Sequence, residues 1–256
     1  MTNERRVLVH PDKGSLASSV AARFITKMLD ILDDQPVAHV VLTGGSMAGA
    51  VLESIASSPA RTSIDWSRVH FWWGDERWVP AGSEERNDWI ADRALLDDLD
   101  LPDENVHRFP ASDSGQTLDE AAVAFAAELA EHGVDGADAP AFDITFLGVG
   151  PDGHIASLFP HRSGIQVTDR TVIAVRNSPK PPPERLSLTR PVLNASQRIW
   201  FVLSGADKAS ALGLALAGAS RDEVPVAGIK GRRRTVFFVD SDAAAEVPEG
   251  LIARDY

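Results

Sequence analysis

A histidine stands directly after a glycine-rich turn in Leu147-Gly-Val-Gly-Pro-Asp-Gly-His154, with Asp152 two residues before it. An imidazole with an ordinary pKa of about 6.5 can take or give a proton at neutral pH, and a neighbouring carboxylate can hold its orientation or help position water. A second turn, Thr43-Gly44-Gly45-Ser46, has two glycines that let the backbone bend tightly ahead of a helix. Free amides at such a helix start attract an anion such as a phosphate monoester. Gly74-Asp-Glu-Arg77 adds a cation, Arg77, to steady developing negative charge, and a carboxylate, Asp75, to orient a sugar hydroxyl or a water. Arg185, after a proline run, and Lys208, after Ser204-Gly-Ala-Asp207, stand just past expected strand ends. In a chain of net charge −12, cations so placed are natural phosphate partners. Together these types allow proton transfer at a bound anionic substrate.

Each pattern also has a plainer explanation. Thr43–Ser46 fits an ordinary strand-to-helix turn with Ser46 as N-cap. Asp75–Arg77 fits a solvated charge cluster worth little. Arg185 and Lys208, seen alone, are surface charges. Gly148-Val-Gly-Pro-Asp-Gly153 matches Gly-x-Gly-x-x-Gly, yet Pro151 and Asp152 sit where a pyrophosphate needs donating amides. Asp152 repels it, and Pro160 leaves too short a following helix. No Lys follows the glycines of 43–46, so that turn is not a nucleotide-binding loop either.

The elements that must position these groups alternate along the chain. Strands are expected at 5–9, 37–42, 69–73, 144–147, 171–175, 199–203 and 235–239. Helices are expected over 15–32, 47–57, 87–99 (capped by Asn87, with Trp89, Ile90, Leu95 and Leu96 inward), 117–131 and 207–217. A short helical stretch should follow His154 until Pro160 ends it. The Ser178–Pro183 run reads as a loop over the sheet edge. This alternation predicts an α/β fold, a doubly wound, mostly parallel sheet with helices on both faces, in one domain over 1–256.

Composition narrows the function. The 256 residues are 44% hydrophobic with no run of eighteen apolar residues, which predicts no membrane span. The N-terminus runs straight into a strand pattern with no signal-peptide core, which predicts a cytoplasmic protein. The acidic balance argues against nucleic acid or an anionic membrane as partner; the Arg232–Arg234 run reads as a solvated turn. There is no cysteine, and His10, His39, His70, His107, His132 and His161 show no metal-ligand spacing, so no metal is expected. Oligomeric state is left open, a monomer included.

Five stretches occur in the order found in one family: Thr43–Ser46, Trp73–Arg77, Leu147–Pro160, Pro182–Thr189 and Ser204–Ala209. Over nearly its whole length the chain resembles the 6-phosphogluconolactonases of the pentose phosphate pathway. Their superfamily includes glucosamine-6-phosphate deaminase. The resemblance implies a sheet of the NagB/RpiA/CoA-transferase-like kind, no metal or organic cofactor, and a sugar-phosphate lactone as the small-molecule partner. It implies catalytic roles for His154, Arg77, Asp152 and Asp75, and substrate binding by Thr43, Gly44, Gly45, Ser46, Arg185 and Lys208. The deaminases carry an aromatic residue at the position of Arg77 and a carboxylate at that of Phe159. Moving a proton between two sugar carbons needs such carboxylates, whereas hydrolysing a lactone does not. A deaminase or isomerase, and a non-catalytic sugar-phosphate sensor, are the competing expectations.

Overall fold

The computed structural model describes residues 5–252. The ends of the expected 1–256 domain, 1–4 and 253–256, lie outside the described residues. The chain opens with β1 (Arg5–His10), α1 (Lys13–Asp34), β2 (Ala38–Leu42), α2 (Ser46–Ala56), β3 (Val69–Trp73) and a three-residue β4 (Asp75–Arg77). It continues through α3 (Asn87–Ala94), α4 (Leu118–Glu131), β5 (Ile144–Leu147), β6 (Val172–Val175), β7 (Arg185–Leu188) and α5 (Arg190–Asn194). It closes with β8 (Arg198–Leu203), α6 (Ala209–Leu216) and β9 (Arg234–Asp240).

Six strands pair in the order β1-β9-β8-β5-β2-β3, every pair parallel. Parallel neighbours need crossovers, and the helices provide them. Successive β3 residues Phe71 and Trp72 point to opposite faces. On one face, Phe24 of α1 packs on Trp66, which stacks on Phe71, and on Phe146 of β5. On the other, Phe125 of α4 meets Trp72 edge-on, with ring centroids 6.0 Å apart. Helices therefore cover both faces, and all four residues of β5 are buried. That double cover is why β5 reads as an unbroken apolar run.

Helix α4 begins where its sequence signals it. Thr117 accepts the Glu120 N–H, and the Glu120 carboxylate accepts the Thr117 N–H at 2.8 Å, a reciprocal capping box. Among the described residues no helix is long and apolar enough to cross a membrane.

Several local expectations are corrected. Asn87 is the first residue of α3, not its cap. Its carboxamide donates instead to the Asp75 carbonyl at 2.9 Å, and Trp89 and Ile90 are only half-buried. Helix α3 stops at Ala94, with a 3-10 turn over Leu96–Asp98. No helix follows His154. Ile155 and Leu158 pair across a two-residue turn in which Ala156 takes φ 47°. The Ser157 N–H donates to Ser187 Oγ and its hydroxyl to Asp75, which draws this stretch out of helical geometry. Strands β4 and β7 were not expected. They form an antiparallel three-stranded sheet, β4-β7-β6, beyond the end of β3. Arg185 thus opens a strand, opposite Arg77, and does not trail one.

Candidate active site

From β2 the chain moves outward to β3, and from β5 it moves the other way to β8, so the winding reverses between β2 and β5. A crevice opens at the carboxyl ends of strands at such a reversal. There the Gly148 N–H reaches Thr43 Oγ1 at 3.4 Å, holding the two glycine turns together.

The 43–46 turn ends on Gly45, whose φ of 94° lies in the left-handed region that favours glycine. Gly45 is the N-cap of α2, and no side chain caps this end. Ser46 is therefore the first helical residue and not the cap. The first-turn amides, which an α-helix cannot satisfy internally, are left for a ligand. Gly44 is required for space. A Cβ there would fall 1.8 Å from Asn87 Oδ1.

After β5, the Gly150 N–H donates to the His154 carbonyl at 2.9 Å and the Gly153 N–H to the Gly150 carbonyl at 2.9 Å. These bonds close the loop on itself and consume amides that a pyrophosphate would need, which agrees with the rejection of a dinucleotide. The closed loop presents His154, its side chain 15% exposed, with Nδ1 2.5 Å from Asp152 Oδ1. A carboxylate at Nδ1 places the ring proton there, so Nε2 carries the lone pair. Among the described residues Nε2 has no partner. The ring packs on buried Phe159, with centroids 4.7 Å apart.

Burial by itself pushes the Asp152 carboxyl up. The hydrogen bond and charge of His154, its backbone N–H and the charge of Lys180 outweigh this and hold the group down at about 2. Asp152 is thus an anion across the working range. A depressed carboxyl contributes stability that is present above its unfolded value of about 3.9 and lost as pH falls toward the folded one. Asp152→Asn should lower kcat at least about tenfold by freeing the imidazole's orientation. The margin in Tm between wild type and variant should hold down to about pH 4 and close by about pH 2. A margin unchanged through that window would separate Asp152 from His154.

Asp75 and Arg77 come from β4. Asp75 is buried; Oδ2 accepts from the Ser157 hydroxyl at 2.6 Å and lies 3.9 Å from Arg185 Nη1. Buried Glu76 ties the neighbourhood to α3. Its carboxylate accepts the N–H groups of Arg77, Asn87 and Asp88 at 2.7–2.9 Å. Arg77 donates through Nη1 to the Glu85 carbonyl, while its buried Nε has no partner. Asn87 Oδ1 is likewise buried and unpartnered. A donor and an acceptor left over beside a crevice are groups a ligand would satisfy.

Arg185 is not a surface charge; it is 4% exposed. Its donors hold the 180–182 carbonyls, and Nη1 reaches Ser157 Oγ at 3.5 Å. Lys208 sits on the turn after β8, which Asp240 fixes by accepting from Ser204 Oγ at 2.5 Å and the Gly205 N–H at 3.1 Å. Its ammonium pairs with Asp207 at 2.8 Å.

One cleft of about 340 Å³ is lined by Thr43, Gly44, Gly45, Ser46, Asp75, Arg77, His154, Arg185 and Lys208. That volume falls within the range of about 300–1,000 Å³ usual for small-molecule sites. Of the expected site residues, only Asp152 stands off its wall, behind His154. Asn87, Lys180 and Ser204 also line it and were missed. The Asn87 signal is a polar residue at the start of a helix, which capping explains sufficiently. Nothing in the sequence distinguishes Lys180 from a solvated loop lysine.

The arrangement can hold an anion at one place and move a proton at another. A family model described as glucosamine-6-phosphate isomerases/6-phosphogluconolactonase matches residues 11–238. The chain is 47% identical to a 6-phosphogluconolactonase of Streptomyces coelicolor over 98% of both chains. It is 42% identical to that of Mycobacterium tuberculosis, over 94% of this chain and 97% of the relative. A solved 6-phosphogluconolactonase from Thermotoga maritima superposes with a TM-score of 0.81 at 28% identity, over 93% of this chain and all of that one.

Proposed function

The chain belongs to the glucosamine-6-phosphate isomerase/6-phosphogluconolactonase family, and from that premise we propose that it hydrolyses 6-phospho-D-glucono-1,5-lactone to 6-phospho-D-gluconate as a single domain. The observation that carries the reading is the arrangement of one cleft. An imidazole with Nδ1 held by a carboxylate stands on a wall shared with an uncapped helix start and a lysine.

The substrate's 6-phosphate binds the amides of Gly44, Gly45 and Ser46, with Lys208 and the Arg185 guanidinium as cationic partners. Remote binding energy then fixes C1 near His154. Nε2 of His154 takes a proton from water as the oxygen attacks the lactone carbonyl. Arg77, through its unpartnered Nε, or nearby amides stabilise the tetrahedral oxyanion. The ring C–O bond breaks as His154 returns the proton to the departing ring oxygen, which leaves the acid and a free hydroxyl. Asp152 keeps the ring in the productive tautomer, and Asp75, held by Ser157 and Asn87, positions the sugar or the water.

The competing reading within the family is amino-sugar deamination. Phe159 argues against it, because an apolar ring packs under the imidazole where a deaminase carries a carboxylate. Acid release from freshly made lactone, measured against its spontaneous hydrolysis, tests the proposal. Ammonia release from glucosamine 6-phosphate in place of acid release would reverse it. Lys208→Ala should raise KM by about tenfold or more with a smaller change in kcat, because it removes binding shared by ground and transition states.

A further inference from the structure

Four histidines that lie far apart in the chain meet at the end of the sheet away from the cleft. His39 and His70 are register partners near the amino ends of β2 and β3, His107 follows in a loop, and His132 ends α4. His39 lies about 13 Å before the 43–46 turn along β2. His70 Nδ1 is 2.9 Å from His107 Nε2, and His107 Nδ1 is 2.7 Å from Glu128 Oε1. The rings of His107 and His132 are 4.5 Å apart between centroids. One ligand atom each from His70, His107 and His132 falls within 4.8 Å of the other two.

We infer that His70, His107 and His132 form a binding site for one divalent transition-metal ion of the Zn²⁺ class. Three neutral imidazoles are the donor set such ions take. Glu128 supplies a second, independent indication. A ligating histidine characteristically gives its other ring N–H to a carboxylate, which fixes the tautomer and raises ligand basicity. His107 stands in that relation to Glu128, so its Nε2 lone pair faces the cluster.

Without an ion, that lone pair accepts from His70 Nδ1–H. An ion replaces the shared proton, which moves to Nε2 of His70, so no co-reactant is needed. Two nitrogen ligands at about 2.05 Å in a tetrahedral site stand about 3.3 Å apart, so the pair opens by a few tenths of an ångström. His39 is otherwise engaged, its Nδ1 accepting from Trp72 Nε1 at 3.2 Å. The fourth position is left to solvent. The expectation of no metal rested on chain spacing, which cannot register ligands brought from β3, a loop and the end of α4.

The test is calorimetric titration of tag-free, chelator-treated and dialysed full-length protein with Zn²⁺, repeated with Co²⁺ while its visible band is followed. We expect one saturable equivalent per chain. His132→Ala, at a half-exposed helix end, should weaken Zn²⁺ at least about tenfold, and Glu128→Gln by about tenfold. His154→Ala should bind as the wild type does. The metal-free Tm and lactone turnover of His132→Ala should match the wild type, which shows that the variant folds. Binding no tighter than millimolar, affinity unchanged in His132→Ala, or affinity lost in His154→Ala instead would each overturn the site. Loss of lactone turnover in the wild type would bear on the proposed function alone.

Discussion

His154→Ala is expected to lower kcat by about 10²- to 10⁴-fold, the usual contribution of a positioned acid–base group. KM should change far less, because the phosphate end of the substrate is held by other groups. The physical case rests on how little else could serve as base. Asp152 stays ionised but is spent on Nδ1, with its pKa near 2. Asp75 is buried and engaged by Ser157 and Asn87. A folding defect is the ordinary confounder, since the imidazole packs on Phe159. His154→Phe keeps an aromatic ring there and removes only the proton chemistry, so it should be as inactive as the alanine variant. Steady-state rates on fresh lactone, corrected for spontaneous hydrolysis, give the answer. Near-normal kcat in either variant would take the histidine out of the reaction.

Gly150→Ala is expected to cost nearly as much, through a single methyl group. A Cβ there would lie 2.0 Å from His154 Nδ1 and 2.6 Å from Asp152 Oδ1. Gly150 is not among the glycines with positive φ, so space and not backbone conformation demands it. The loop cannot yield easily, because the Gly150 N–H and carbonyl are both bonded within it. The imidazole must swing away from its carboxylate instead. We expect kcat to fall by about 10² or more, the scale of a misplaced catalytic group, with Tm close to that of the wild type. Gly148→Ala, whose Cβ would meet nothing nearer than 3.9 Å, controls for general intolerance of substitution in the loop. Equal kcat loss in both variants, or a collapsed Tm in Gly150→Ala, would refute the specific clash.

Those two glycines show how the motif misleads when read by pattern alone. Gly148–Gly153 matches a dinucleotide fingerprint by spacing, but its amides close a loop around an imidazole. The rejection could be argued from Pro151 and Asp152 because their chemistry is local. The hairpin at Ile155–Leu158 could not be foreseen, since its cause is Ser157 bonding to Asp75 and Ser187, which come from the second sheet. For the same reason β4 and β7 are not legible in the sequence. Among the described residues β4 pairs only with β7, and β7 lies between β4 and β6; three or four residues carry no period of their own.

The sequence by itself determined the alternation of strands and helices, the parallel sheet covered on both faces, and the two glycine turns. All of these follow from local chemistry: apolar period and turn residues. Only the tertiary structure decided that Asn87 serves Asp75, that Arg77 faces Arg185 across a ladder, and that Lys180 joins the cleft. Only it brought four histidines together. Such meetings join residues up to about a hundred positions apart, and a side chain's type does not record which distant partner folding will deliver to it.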